Sequence, residues 1–166
     1  DTQSQELILA AALASKAENN DSIDSAVIGG LDSSQRLADF DQLSFKPFDP
    51  VGKRTQATIR DADDRLFRVT KGAPQVIMDM ADIDPPMRKK IEAVVDRRAE
   101  KGQRTLAGAR AEGEDEPWRF MGIVPLFDPP REDSADTIAE ARSHGIRVKM
   151  VTGDNLAIAR EIAGKL

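Results

Sequence analysis

The sequence predicts an α+β fold, an antiparallel sheet flanked by helices over residues 1–126, followed over residues 127–166 by a partial βαβα piece of a parallel sheet. Three observations carry this. Apolar or small-residue runs at 43–45, 55–60, 66–71, 105–111 and 118–126 are separated by turn chemistry, as strands are. Runs at 6–16, from 23, from 74 and at 85–101 carry helical spacing with start and stop signals. After Asp128-Pro129-Pro130-Arg131 the order becomes strand, helix, strand, helix, the pattern of a parallel sheet.

The first helix, Glu6 to Lys16, is apolar nearly all round and belongs among other elements. Asn19-Asn20-Asp21-Ser22 offers turn and capping groups for a second helix with Ile23, Ala26, Val27 and Gly30 on its buried stripe. Asp24 stands beside that stripe in the first turn, where a carboxylate favours the positive end of the helix dipole. Residues 32–41 read as loop or short helix. Leu43-Ser44-Phe45 then forms a strand that ends at Lys46-Pro47-Phe48-Asp49-Pro50, whose prolines hold Phe48 in an irregular segment. Alone, Phe48 reads as a core plug; with Lys53 and Arg54 close behind, it equally suits a base stacked above phosphates.

Thr55 to Arg60 and Leu66 to Lys71 make a hairpin around Asp61-Ala62-Asp63-Asp64, a solvated turn. Phe67 and Val69 share one face, and Lys71 continues the row, so an ammonium stands where the alternation asks for an apolar side chain. It is either a lysine snorkelling at the rim of the sheet or a lysine delivered to a ligand. Gly72 permits close backbone approach, and Pro74 suits the first position of a helix with Val76, Ile77 and Met80 on its stripe. Asp84 caps a helix that starts at Pro85 and stops at Gly102, with Met87, Ile91, Val94 and Val95 inward. Gln103-Arg104-Thr105 leads into a small-residue strand to Ala111. The strand Trp118 to Leu126 is expected to place Trp118, Phe120 and Val124 on one face. Ser134 to His144 is the crossover helix, Ile146 to Val151 a strand, and Thr152-Gly153-Asp154-Asn155 opens the last helix. Ligands of parallel sheets bind at that end of a strand, beside a helix N-terminus.

Composition narrows the function. The chain has 166 residues, a net charge of −5 with interspersed signs, no cysteine and a single histidine. This argues against a nucleic-acid binder and excludes disulfide frameworks, thiolate metal sites and multi-histidine sites. The longest apolar run, Leu7 to Ala14, is far too short to span a bilayer. The chain therefore reads as soluble and intracellular, with the look of a piece excised from something longer. Neither a G-x-x-x-x-G-K-[ST] loop nor a G-x-G-x-x-G occurs.

Lys71-Gly72-Ala73-Pro74, Asp128-Pro129-Pro130-Arg131 and Thr152-Gly153-Asp154-Asn155, in this order and spacing, resemble the nucleotide-binding domain and adjoining phosphorylation-domain edge of P-type ATPases. Pro47-Phe48-Asp49-Pro50-Val51-Gly52-Lys53-Arg54-Thr55, Leu126-Phe127-Asp128-Pro129-Pro130-Arg131 and Val148-Lys149-Met150-Val151-Thr152-Gly153-Asp154 look most like the plasma-membrane proton-pumping branch. The resemblance implies a nucleotide-binding domain at 1–126 and a partial, dehalogenase-like phosphorylation domain at 127–166. It implies ATP and Mg²⁺ as ligands, with no metal held by this piece itself. Phe48 would stack on adenine, Asp24 would lie near the adenine amino edge, and Lys71 with Gly72 would line the pocket. Lys53 and Arg104 would reach the phosphates and Leu106 would close the pocket. Asp128 and Arg131 would engage nucleotide at the hinge; Thr152 would hold the transferred phosphoryl group, supported by Gly153 and Asp154 near Mg²⁺.

The family's phosphorylated Asp-Lys-Thr-Gly-Thr and its later Gly-Asp-Gly-x-Asn-Asp motif are absent from these residues. The resemblance thus implies nucleotide binding without a complete phosphorylation cycle. Its partners would be the remaining phosphorylation, actuator and transmembrane domains of a pump, at the cytoplasmic face of a membrane that this piece does not touch. Two other readings stay open. One is a dehalogenase-like phosphatase with a cap insertion. The other is a non-catalytic module that docks a partner through the charged helix 85–101.

Overall fold

A computed structural model describes residues 2–19, 21–31, 34–127, 130–153 and 155–166. Among them lie one five-stranded antiparallel sheet and six α-helices, so the α+β class stands. The strands are β1 (Asp41–Lys46), β2 (Arg54–Arg60), β3 (Leu66–Gly72), β4 (Arg104–Ala111) and β5 (Arg119–Leu126), arranged in chain order across the sheet.

One face carries α1 (Thr2–Leu13), with α2 (Ser22–Gly29) behind it. Ala10, Leu13 and Ala14 pack on Ala57 and Ile59 of β2 and on Phe67 and Val69 of β3, the row that the period-two pattern places on one side. The small side chains of 10–12 and 14 let helix and sheet approach closely. Asp21 rather than Ser22 caps α2; its carboxylate accepts from the backbone N–H of Ile23 and Asp24. The other face carries α3 (Pro74–Met80) and α4 (Pro85–Ala99). Ile77 packs there on Ala107 and Ala109, with Trp118, Phe120 and Ile123 around it. Asp84 caps α4 as its sequence position predicts, accepting from Met87 N.

Three expectations change. Met87, expected inward on α4, is 46 % exposed. Val124 does not share a face with Phe120. The pairing of β4 with β5 slips between Gly108 and Ala109, and Gly122 takes a φ of 143°. This bulge brings Ile123 onto the Phe120 side and sends Val124, opposite Leu106, to the helical face of α1. The parallel-sheet piece is not formed among the described residues. The helices α5 (Ser134–Ser143) and α6 (Leu156–Lys165) are present, but 146–151 joins no strand ladder. Its apolar side chains stay open to solvent, Ile146 at 59 % and Val151 at 93 % exposure. A parallel strand is stable when both its faces are covered, and nothing among the described residues covers these.

No helix among the described residues is long and apolar enough to cross a membrane.

Candidate functional site

The end of the sheet formed by the C-terminus of β3 and the start of β4 opens into a cavity of about 860 Å³. That lies within the roughly 300–1,000 Å³ of pockets that hold a small ligand. Phe48, Lys53, Lys71, Gly72, Arg104 and Leu106 line it, together with Asp24 from α2 and Gly153 ahead of α6. Stretches far apart in sequence thus meet at one place. Arg131 and Thr152 lie outside this lining, and Asp128 and Asp154 fall outside the described residues.

Lys71 is the buried centre of this region at 3 % exposure. Its ammonium donates to Asp24 Oδ1 at 2.5 Å, to the Ala14 carbonyl at 3.0 Å and to Thr55 Oγ1 at 3.3 Å. All three N–H donors of a lysine are therefore used inside the protein. Asp24, 5 % exposed, accepts with its second oxygen from Lys16 N at 2.9 Å. Burial pushes the Lys71 ammonium below its ordinary pKa, while the hydrogen bond and charge of Asp24 hold it up. The snorkelling alternative is excluded by this geometry, since the amine points inward. The dipole reading of Asp24 omits its main partner, for Asp21 is the residue that satisfies the helix end.

Thr55 was not singled out by its own sequence context. Its place follows from the hairpin register, which sets Thr55 opposite Lys71. Thr55 Oγ1 donates to Ala14 O at 2.6 Å, so α1, β2 and β3 share one polar junction under the cavity. Gln75, Gln103 and Thr105 are further polar lining residues that no motif marked, and Asn155, the last residue of the 152–155 motif, lines it as well. Each belongs to an element end, where side-chain direction follows from tertiary packing.

Gly72 is required by the chain itself. A Cβ there would lie 2.6 Å from Arg54 Cβ and 2.8 Å from Arg54 Cα, because residues 53–54 cross directly over it. Ala73 N donates to Lys53 O at 3.0 Å and fastens the crossing. This close approach carries the loop 47–53 over the sheet end and leaves Phe48 61 % exposed at the cavity wall. The core-plug reading of Phe48 is thereby corrected. A loop fastened through the backbone of Lys53 holds the ring outside the core.

Chemically, the cavity offers an open aromatic face, two cationic side chains at its wall in Lys53 and Arg104, and an apolar surface from Leu106, Leu126 and Ile158. Its buried ammonium is already matched by a carboxylate. Such a place suits a flat, partly apolar ring attached to an anionic tail. Among the described residues no three His, Cys, Asp or Glu side chains lie together in a way that could hold a metal ion. No protein-family model matches the chain.

Proposed function

We propose that this chain is the cytosolic ATP-binding domain of a cation-transporting, proton-exporting P-type ATPase. In this reading residues 1–126 bind ATP. Residues 127–166 belong to the edge of the phosphorylation domain, where 146–151 would pair with strands of the parent protein. The parent enzyme would hydrolyse ATP by transferring the γ-phosphate to an aspartate that these 166 residues do not contain.

The observation that carries the reading is the convergence of Phe48, Lys53, Lys71, Gly72, Arg104 and Leu106 on one cavity. Those residues come from separate stretches, and the motif resemblance selects them together. Phe48 offers the face for adenine; Lys53 and Arg104 supply positive charge for the phosphates. Lys71 serves beneath the base as a neutralised pair with Asp24 and leaves the tail to the other two cations. Mg²⁺ would travel with the phosphates, and it supplies charge neutralisation during phosphoryl transfer.

Titration of the 166-residue chain with ATP, followed by amide NMR shifts, tests this. Shifts are expected around 48–53, 71–75 and 104–106, without phosphate release. If those amides stay still at millimolar ATP, the proposal fails.

A further inference from the structure

The loop between β1 and β2 reads Pro47-Phe48-Asp49-Pro50-Val51-Gly52-Lys53 and is built around one carboxylate. Asp49 Oδ1 accepts from Val51 N at 3.2 Å and Oδ2 accepts from Gly52 N at 2.6 Å. The Asp49 carbonyl accepts from Lys53 N at 2.6 Å. A Cβ on Gly52 would stand 2.9 Å from Oδ2, so the glycine makes room for the carboxylate. The loop ends with Lys53 at a φ of 49°. Among the described residues the other non-glycine positions with positive φ are Asp64 and Asp82, a residue type that tolerates that conformation better than lysine does. The backbone of Lys53 is therefore clamped from both sides, by Asp49 O at its N–H and by Ala73 N at its carbonyl.

Phe48 and Lys53, on either side of this turn, line the cavity, as do Pro47 and Pro50; Asp49 does not. Its side chain is turned into the loop and acts on the cavity through its neighbours. We infer that Asp49 is a positioning residue of the ligand site, whose carboxylate fixes the aromatic face of Phe48 and the ammonium of Lys53 toward a single ligand. This rests on the ATP-binding reading above. The physical reason is preorganisation: a loop already held in its bound shape does not lose freedom when the ligand arrives.

Calorimetric titration of the 166-residue chain with ATP, alongside urea unfolding, tests it. Asp49→Ala is expected to weaken ATP binding about tenfold while leaving the unfolding midpoint in place. Asp49→Asn is expected to fall between wild type and Asp49→Ala, because its single amide oxygen can accept from only one of Val51 N and Gly52 N. Gly52→Ala, which crowds the carboxylate, is expected to weaken binding as Asp49→Ala does. In a Phe48→Ala background, Asp49→Ala should add less than its full effect, since the group that it positions is gone. Wild-type binding with an unchanged Asp49→Ala overturns this inference alone. So does an Asp49→Asn variant that fails together with a lowered unfolding midpoint, the mark of a merely structural role. Absence of ATP binding by the wild type overturns the ATP reading itself, and this inference with it.

Discussion

Replacing Lys71 with methionine is the most direct probe of the buried junction. The substitution keeps the length and apolar stem of the side chain and removes only the ammonium. It leaves the Asp24 carboxylate at 5 % exposure with Lys16 N as its remaining hydrogen-bond partner of the two described. Removing one partner of a buried ion pair costs about 3–5 kcal/mol, chiefly because the other charge stays desolvated. For a chain of 166 residues, an unfolding entropy of about 2.1 cal/mol/K per residue converts this into a fall of about 9–14 °C in Tm. Asp24→Asn in the same protein removes the stranded charge and keeps an acceptor for Lys16 N. The double variant should recover more than half of the loss. Urea unfolding followed by the fluorescence of Trp118, the chain's single tryptophan, measures all three variants. A Lys71→Met loss below about 1 kcal/mol would show that the pair is not a buried one. A double variant no more stable than Lys71→Met would show that Asp24 is not what strands the charge. Any loss of ATP binding in Lys71→Met must be read against this destabilisation.

Phe48→Ala should leave the unfolding midpoint near wild type, the ring being largely exposed, yet weaken ATP binding by about 5- to 150-fold, the equivalent of about 1–3 kcal/mol of stacking; equal loss of fold and affinity would return Phe48 to the core. Gly72→Ala should destabilise the fold, because the Cβ meets the backbone of Arg54 where no flexible side chain can yield; a neutral Gly72→Ala would refute the crossing of residues 53–54. Because the folded-state pKa of Lys71 is lowered, the unfolded chain binds more protons between that value and 10.5, so stability should rise with pH through this window, and Lys71→Met should flatten that slope in urea titrations. Asp61 is held below its ordinary 3.8, first by its hydrogen bond from the Arg65 backbone, so its contribution is present above 3.8 and lost as pH falls through the folded value, which a carboxyl NMR titration of wild type and Asp61→Asn checks.

The fold was legible where local rules are strong. Alternation identified the row Phe67, Val69, Lys71, and the capping position Asp84 followed from residue type alone, while for α2 residue type narrowed the cap only to the run 19–22, of which Asp21 serves. What stayed hidden depends on contacts across long stretches of chain. Asp24 and Lys71 are 47 residues apart, and no local pattern marks one as the answer to the other. The bulge at Gly122 is a property of two strands in register, so the face of Val124 was misjudged. Gly72 was correctly marked as a point of close approach, but the group that approaches is the chain's own residues 53–54. The segment 146–151 has strand composition, yet a strand also requires a neighbour to pair with. In the site, charge and ring type were readable in advance. The commitment of all three Lys71 donors was not, because a sequence does not show which hydrogen bonds are already made.

The strand order has one more consequence. Every neighbour in this sheet is also the next strand along the chain, and three of the four pairings close short hairpins, while β3 and β4 are joined through α3 and α4. The opening helix reaches further still, for the Ala14 carbonyl just after it waits for a lysine 57 positions later. On a ribosome that apolar rod emerges ahead of its seat and stays without it until β2 and β3 have followed it out. The time between the two is therefore the interval in which these residues are most exposed to aggregation and most open to chaperone capture.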